Sequence, residues 1–178
     1  LSQVIQAYCG SEPVALVGHS YGALVALQYA LSQNGLVSQL ALIEPPLPPA
    51  RTSDIAQFMS LGATEMVSAL PPALQTLLNE GKRSRRARRF LETVRFLSQE
   101  STLLTELAEE PAIEASALES LRLPTLGLFG NDSACRPAGA ALQTAMTEFE
   151  LVTHPGGHYL PLEAPKFVTD RLWEFLNG

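Results

Sequence analysis

Four apolar residues at 14–17 (VALV) run into Gly18-His19-Ser20-Tyr21-Gly22, and a leucine-rich stretch follows at once. The run is too short for a helix and is closed by glycine, so it reads as a buried parallel strand. Residues 23–33 then carry Leu24, Leu27 and Leu31 on one helical face and stop at Asn34-Gly35. Strand and helix are thus joined by a very sharp reversal. Gly18 and Gly22 are expected there because side chains would collide with the neighbouring strand and helix. Ser20 at the apex is lifted clear of the sheet, where the N-terminus of the helix favours negative charge.

The rest of the chain largely repeats this alternation. Residues 1–9 set Val4, Ile5 and Tyr8 at helical spacing before Gly10, and residues 40–43 form a second apolar strand ending at Glu44. Pro45-Pro46 and Pro48-Pro49 forbid regular structure and mark a departure from the core layer. From 54 to 121 the pattern is helical, broken at Gly62, Pro71-Pro72, Gly81 and Pro111. Strand 125–129, helix 138–146, strand 149–152, the loop HPGGH and helix 165–176 complete the chain. This order predicts an α/β fold, a mostly parallel sheet of about four strands with right-handed crossovers. The expected core is 1–46 with 122–178, and 47–121 is a helical cap inserted in it.

The 178 residues are 46% apolar and 17% charged, enough for one globular domain with a sizeable core. A net charge of −6 argues against nucleic acid or an anionic membrane as partner. No apolar stretch reaches the ~18 residues of a membrane span, and no basic-then-apolar leader opens the chain. Cys9 and Cys135 cannot form a disulfide framework, so both are expected to be reduced in a cytoplasmic protein. Metal-ligand spacings and Gly-rich phosphate loops are lacking, so no cofactor or metal is expected. The first residue is Leu1 rather than Met, and a longer polypeptide upstream is expected.

VALVGHSYGALVALQYA resembles the nucleophile elbow of α/β-hydrolases, and GGHYLPLEAPKFVTDRLWEFL is similar to that family's histidine loop and last helix. The likeness runs from about Pro13 to the end, without diagnostic motifs in the cap. It implies Ser20 as nucleophile, with the backbone N–H of Tyr21 in the oxyanion hole. Of the three histidines, His19 lies inside the elbow, its side chain expected to point away from the reacting side. His154 precedes Pro155 and reads as a surface or loop-stabilising residue. His158, after Gly156-Gly157, can swing over the sheet edge and is assigned as general base, then general acid.

A triad also needs a carboxylate to orient the histidine. The family pattern resembles G-x-x-D after the penultimate strand, but here Gly130-Asn131-Asp132-Ser133 puts serine at the expected position. Asp132, one residue early, is one candidate, with turn stabilisation as its alternative role. Glu44 is the other and is preferred, because a similar segment of haloalkane dehalogenases carries the acid at the end of this strand.

The resemblance further implies an eight-stranded sheet of which about four are present here. The remaining half, on the same polypeptide or a partner chain, is expected against the apolar strand 14–17, which would otherwise be a bare edge. It would carry the second oxyanion-hole donor. Lys82, Arg83, Arg85, Arg86, Arg88 and Arg89 form either a patch for an anionic substrate part or, more simply, the solvated face of a cap helix. Phe58, Met59, Met66, Phe90 and Phe96 suit an acyl pocket or plain helix packing. The expected partner is a small-molecule acyl substrate. Hydrolysis of an ester or thioester leads, with C–C bond hydrolysis or a non-catalytic binding protein as alternatives.

Overall fold

The computed structural model describes residues 1–33, 35–47, 95–109 and 113–178, with residues 68, 72, 75, 76, 89, 92 and 93. The chain divides into two compact units, Leu1–Ala50 with Ala112–Gly178, and Arg51–Pro111.

In the first unit, α1 (Ser2–Cys9) leads to β1 (Val14–His19), α2 (Tyr21–Ser32) and β2 (Val37–Ile43). In the second, a π-helical turn (Phe96–Glu100) precedes α3 (Leu103–Glu109). The first unit resumes with α4 (Ala115–Ser120), β3 (Thr125–Gly130), α5 (Arg136–Ala145), β4 (Phe149–His154), α6 (Leu160–Glu163) and α7 (Pro165–Asn177). All neighbouring strands are parallel, in the order β1-β2-β3-β4. The chain is therefore α/β with a four-stranded parallel sheet, as its alternation predicts.

Side chains on successive strand residues point to opposite faces, and β2 splits its apolar residues accordingly. Leu40 and Leu42 join the cluster of Leu24, Leu27, Phe129 and Leu142, while Ala41 and Ile43 join Leu126, Leu128, Leu160 and Val168. Both faces of the central strands are covered, which is why β2 and β3 read as continuous apolar runs. Leu47, Leu118 and Leu121 also pack in the first cluster.

β1 is an edge strand of this sheet, the one against which a further half of the fold is expected. Among the described residues it pairs with β2 alone, Ala15 is exposed and Val17 is 46% exposed. An apolar run reports burial on both faces only where neighbours exist on both sides, and here one side is open.

In the second unit, Ser101 Oγ donates to Leu97 O at 2.7 Å and accepts from the Leu103 N–H at 3.2 Å, which starts α3. Phe96 is 53% exposed and Arg89 is exposed. Phe58, Met59, Met66, Phe90 and the rest of the basic cluster lie outside the described residues, as do Pro48-Pro49. Among the described residues no helix is long and apolar enough to cross a membrane.

Candidate active site

The site is built on two strained backbone positions. Ser20 and Glu44 follow β1 and β2 directly, with φ of 55° and 53°, the non-glycine positive φ values among the described residues. L-residues avoid this region, at a cost of ~1–3 kcal/mol each, and hold it only where the surroundings enforce it. Here the enforcement comes from the next strand. The Ser20 N–H donates to Ile43 O at 2.8 Å, and the Glu44 N–H donates to Leu128 O at 3.0 Å.

The glycines around the elbow have unequal roles. A side chain on Gly18 would run into the Gly22 carbonyl and the Ala23 backbone, as its place beside the helix predicts. Gly22 departs from that expectation: a Cβ there would meet nothing within 4 Å, because this residue is exposed at the open side of the helix. Ser20 N-caps α2, so Tyr21 is its first residue and its backbone sits at the positive end of the helix dipole.

His158 comes to the serine from the loop after β4. Gly156 has φ of 136°, a conformation only glycine adopts readily, and the Gly157 N–H donates to Glu163 Oε2 at 2.6 Å. Gly130 at the end of β3 packs so closely on this loop that a Cβ would strike the carbonyls of Gly156 and Gly157. Held this way, His158 Nε2 lies 2.9 Å from Ser20 Oγ.

The other ring nitrogen faces two groups. Nδ1 is 3.6 Å from Glu44 Oε2 and 3.6 Å from Cys135 Sγ. The first is an ion-pair separation rather than a hydrogen bond, and catalytic contacts of this kind often tighten only with substrate bound. Glu44 is fully buried, its carboxylate accepting from the Gly130 N–H and the Ser133 hydroxyl. Burial pulls His158 towards its neutral form, but Cys135 and Glu44 against the ring outweigh this and raise its pKa to about 9.

Asp132 is not brought to the histidine. It is exposed, and its backbone N–H donates to Gly156 O at 3.0 Å. The displacement by one residue has a structural answer: Ser133, at the position where the pattern G-x-x-D has its acid, reaches Glu44 instead. His19 also departs from expectation. Its ring does not turn away but bonds the His158 carbonyl through Nε2 at 2.9 Å, with ring centroids 5.2 Å apart. Burial, the largest influence, lowers the His19 pKa, so it donates as a neutral ring and fixes the loop. His154 lies elsewhere, bonded to Pro155 O and packed on Phe167 at 4.2 Å.

Sequence reasoning missed Ser133 as the support of Glu44 and Cys135 as a neighbour of His158. Ser133 is buried, and its oxygen also accepts from the Cys135 N–H at 3.1 Å. The available signal was a small polar residue standing where a carboxylate is expected. A groove of about 600 Å³ between α1 and α2 is lined by Ile5, Tyr29, Gln33 and Leu36, and by none of these groups.

The chain matches none of the curated proteins in sequence. Among solved structures, it is similar to an alpha/beta hydrolase enzyme from a Medee basin deep-sea metagenome library, at 23% identity and a TM-score of 0.70. That match covers 99% of this chain and 70% of the other. A hydrolase from Pseudomonas aeruginosa PA01 is 18% identical with a TM-score of 0.73, over 99% and 69% of the two chains. Naproxen esterase (carboxylesterase NP) from Bacillus subtilis is 19% identical with a TM-score of 0.72, over 97% and 63%. The chain thus spans only part of these hydrolases. The alpha/beta hydrolase family matches residues 1–171, nearly the whole sequence. With that coverage and this sheet, the chain belongs to the alpha/beta hydrolase family.

Proposed function

We propose that this chain is the catalytic portion of a serine hydrolase that cleaves an ester or thioester through an acyl-enzyme on Ser20. The observation that carries the reading is the 2.9 Å separation of Ser20 Oγ and His158 Nε2, with the buried Glu44 carboxylate behind the ring. In this reading His158 takes the Ser20 proton as the oxygen attacks the acyl carbon. The Tyr21 N–H and the α2 dipole stabilise the resulting oxyanion. His158 then passes the proton to the leaving alcohol or thiol. Water, deprotonated by the same imidazole, releases the acid and restores Ser20. Glu44 holds the ring and stabilises the imidazolium, the role that Asp132 is not placed to take.

The same reading sets a further part of the fold against the open edge of β1, on the same polypeptide or a partner chain. Coverage of 63% to 70% of the solved hydrolases supports it, as does the exposure of Val17. A second oxyanion donor would come from there, worth ~10²–10³ in turnover.

Fluorophosphonate labelling of the full-length protein tests the reading. Labelling that Ser20→Ala abolishes is expected, with turnover of some members of a panel of acyl esters and thioesters of graded chain length. Absence of labelling would favour a non-catalytic binding protein. Labelling without turnover of any ester or thioester would move the activity to C–C bond hydrolysis.

A further inference from the structure

Behind the base lies a set of donor atoms that includes one, the Cys135 thiol, that proton transfer does not need. Cys135 Sγ and Glu44 Oε2 are each 3.6 Å from His158 Nδ1, and the three donor atoms lie within 4.8 Å of one another. Thiolate, imidazole and carboxylate are the three side-chain donors that zinc takes. A tetrahedral ion bonded at about 2.3 Å to sulfur and about 2.05 Å to nitrogen sets those atoms about 3.6 Å apart. The same geometry sets nitrogen and carboxylate oxygen about 3.4 Å apart and sulfur and oxygen about 3.6 Å apart; His158 Nδ1 already stands near both of its distances, and the sulfur–oxygen pair, within 4.8 Å, closes the rest.

We propose that Glu44, Cys135 and His158 form an inhibitory site for a thiophilic divalent cation, with zinc as its best occupant. Water would fill the fourth position. The carboxylate is already held from outside by the Gly130 N–H and the Ser133 hydroxyl, the kind of support that orients metal ligands. Hard cations such as Mg²⁺ and Ca²⁺ seek oxygen donors and would not enter.

Occupancy would silence the serine through the tautomer. Three bonds form, to Sγ, Nδ1 and Oε2, and two protons leave to solvent, one from the Cys135 thiol and one from Nδ1 of the imidazolium. An imidazole metallated at Nδ1 carries its proton on Nε2, the atom 2.9 Å from Ser20 Oγ. Nε2 then donates to Ser20 and has no lone pair to accept its proton. The inhibition rests on the serine-hydrolase reading; the binding of the ion does not.

A Cys9→Ala protein, in which Cys135 is the one remaining thiol of this sequence, is titrated with Co²⁺ at neutral pH. A thiolate-to-cobalt charge-transfer band is expected, saturating at one ion per chain and displaced by Zn²⁺. A cobalt spectrum without that band overturns the site, whether or not a Cys135→Ala protein folds. Fluorophosphonate labelling of Ser20 is then followed against chelator-buffered Zn²⁺. Labelling should fall with zinc, recover on chelation and ignore Mg²⁺ and Ca²⁺. Loss of an outer support alone weakens metal sites ~10–100-fold, so Cys135→Ala should raise the half-inhibiting zinc concentration by at least about 100-fold. A cobalt band with zinc-insensitive labelling would overturn the inhibitory role. A protein that never labels fails the hydrolase reading, while the cobalt band still decides the site.

Discussion

The Ser133 hydroxyl donates to Oε2 of Glu44, joining two residues 89 positions apart in a buried contact behind the histidine. The same Oε2 is the oxygen nearest to His158 Nδ1, so a serine on the loop after β3 sets where a carboxylate just after β2 can point.

Ser133→Ala should therefore cost more than an ordinary surface change. It removes one of two neutral donors to a buried carboxylate, and unsatisfied buried groups cost ~1–3 kcal/mol, more when charged. Urea denaturation should show a loss of this order. Turnover should fall with it, and Ser133→Thr should recover part of both.

Glu44→Gln keeps the volume but removes the charge that stabilises the imidazolium in the proposed mechanism. By analogy with loss of a triad acid, kcat should drop by ~10³–10⁴-fold. Asp132→Asn, on the solvent side of the loop, should change kcat by less than about twofold, the size of a neutral surface substitution. Steady-state assays of the two variants side by side check the pair, and the opposite ranking would move the acid to Asp132.

The pKa of His158 is raised from 6.5 to about 9, so the neutral ring that accepts the Ser20 proton in the proposed mechanism prevails only above that pH. The pH profile of kcat/KM should rise about tenfold per unit below pH 9 and level off above it. Cys135→Ala removes one cause of the rise and should move this limb to lower pH. The sign for stability is opposite. A group whose pKa is higher folded than unfolded stabilises the fold most below pH 6.5, and that contribution fades as pH climbs through about 9. Denaturation curves across this window, comparing wild type with His158→Ala, check the direction.

Gly130→Ala would put a methyl group into the carbonyls of Gly156 and Gly157, both backbone and unable to swing aside. Overpacking of this kind costs ~1–3 kcal/mol or more. The histidine loop should shift from Ser20, lowering Tm and reducing fluorophosphonate labelling together.

Much of this was legible in the chain itself. β2 and β3 are covered on both faces, so apolar runs reported them faithfully, and the GHSYG turn declared itself through strand before and helix after. Among the described residues β1 is open on one side, the edge that the expected further half of the sheet would cover: apolarity records a demand for cover, not whether cover is present. The acid stayed open between Glu44 and Asp132 because a one-residue offset in a loop does not reveal which side chain turns inward. The Ser133–Glu44 and Cys135–His158 contacts join separate strand ends, and no local pattern encodes such meetings.

Ser20 and Glu44 are each bolted by their own N–H to the adjoining strand, one step along the sheet from each other. Their separation is therefore ruled by the inter-strand pitch of ~4.8 Å, which is the same in every parallel sheet. Replacing residues 51–111 between β2 and β3 with a segment of different length should leave the pair in place. The sheet acts as a ruler, and that segment is the exchangeable part.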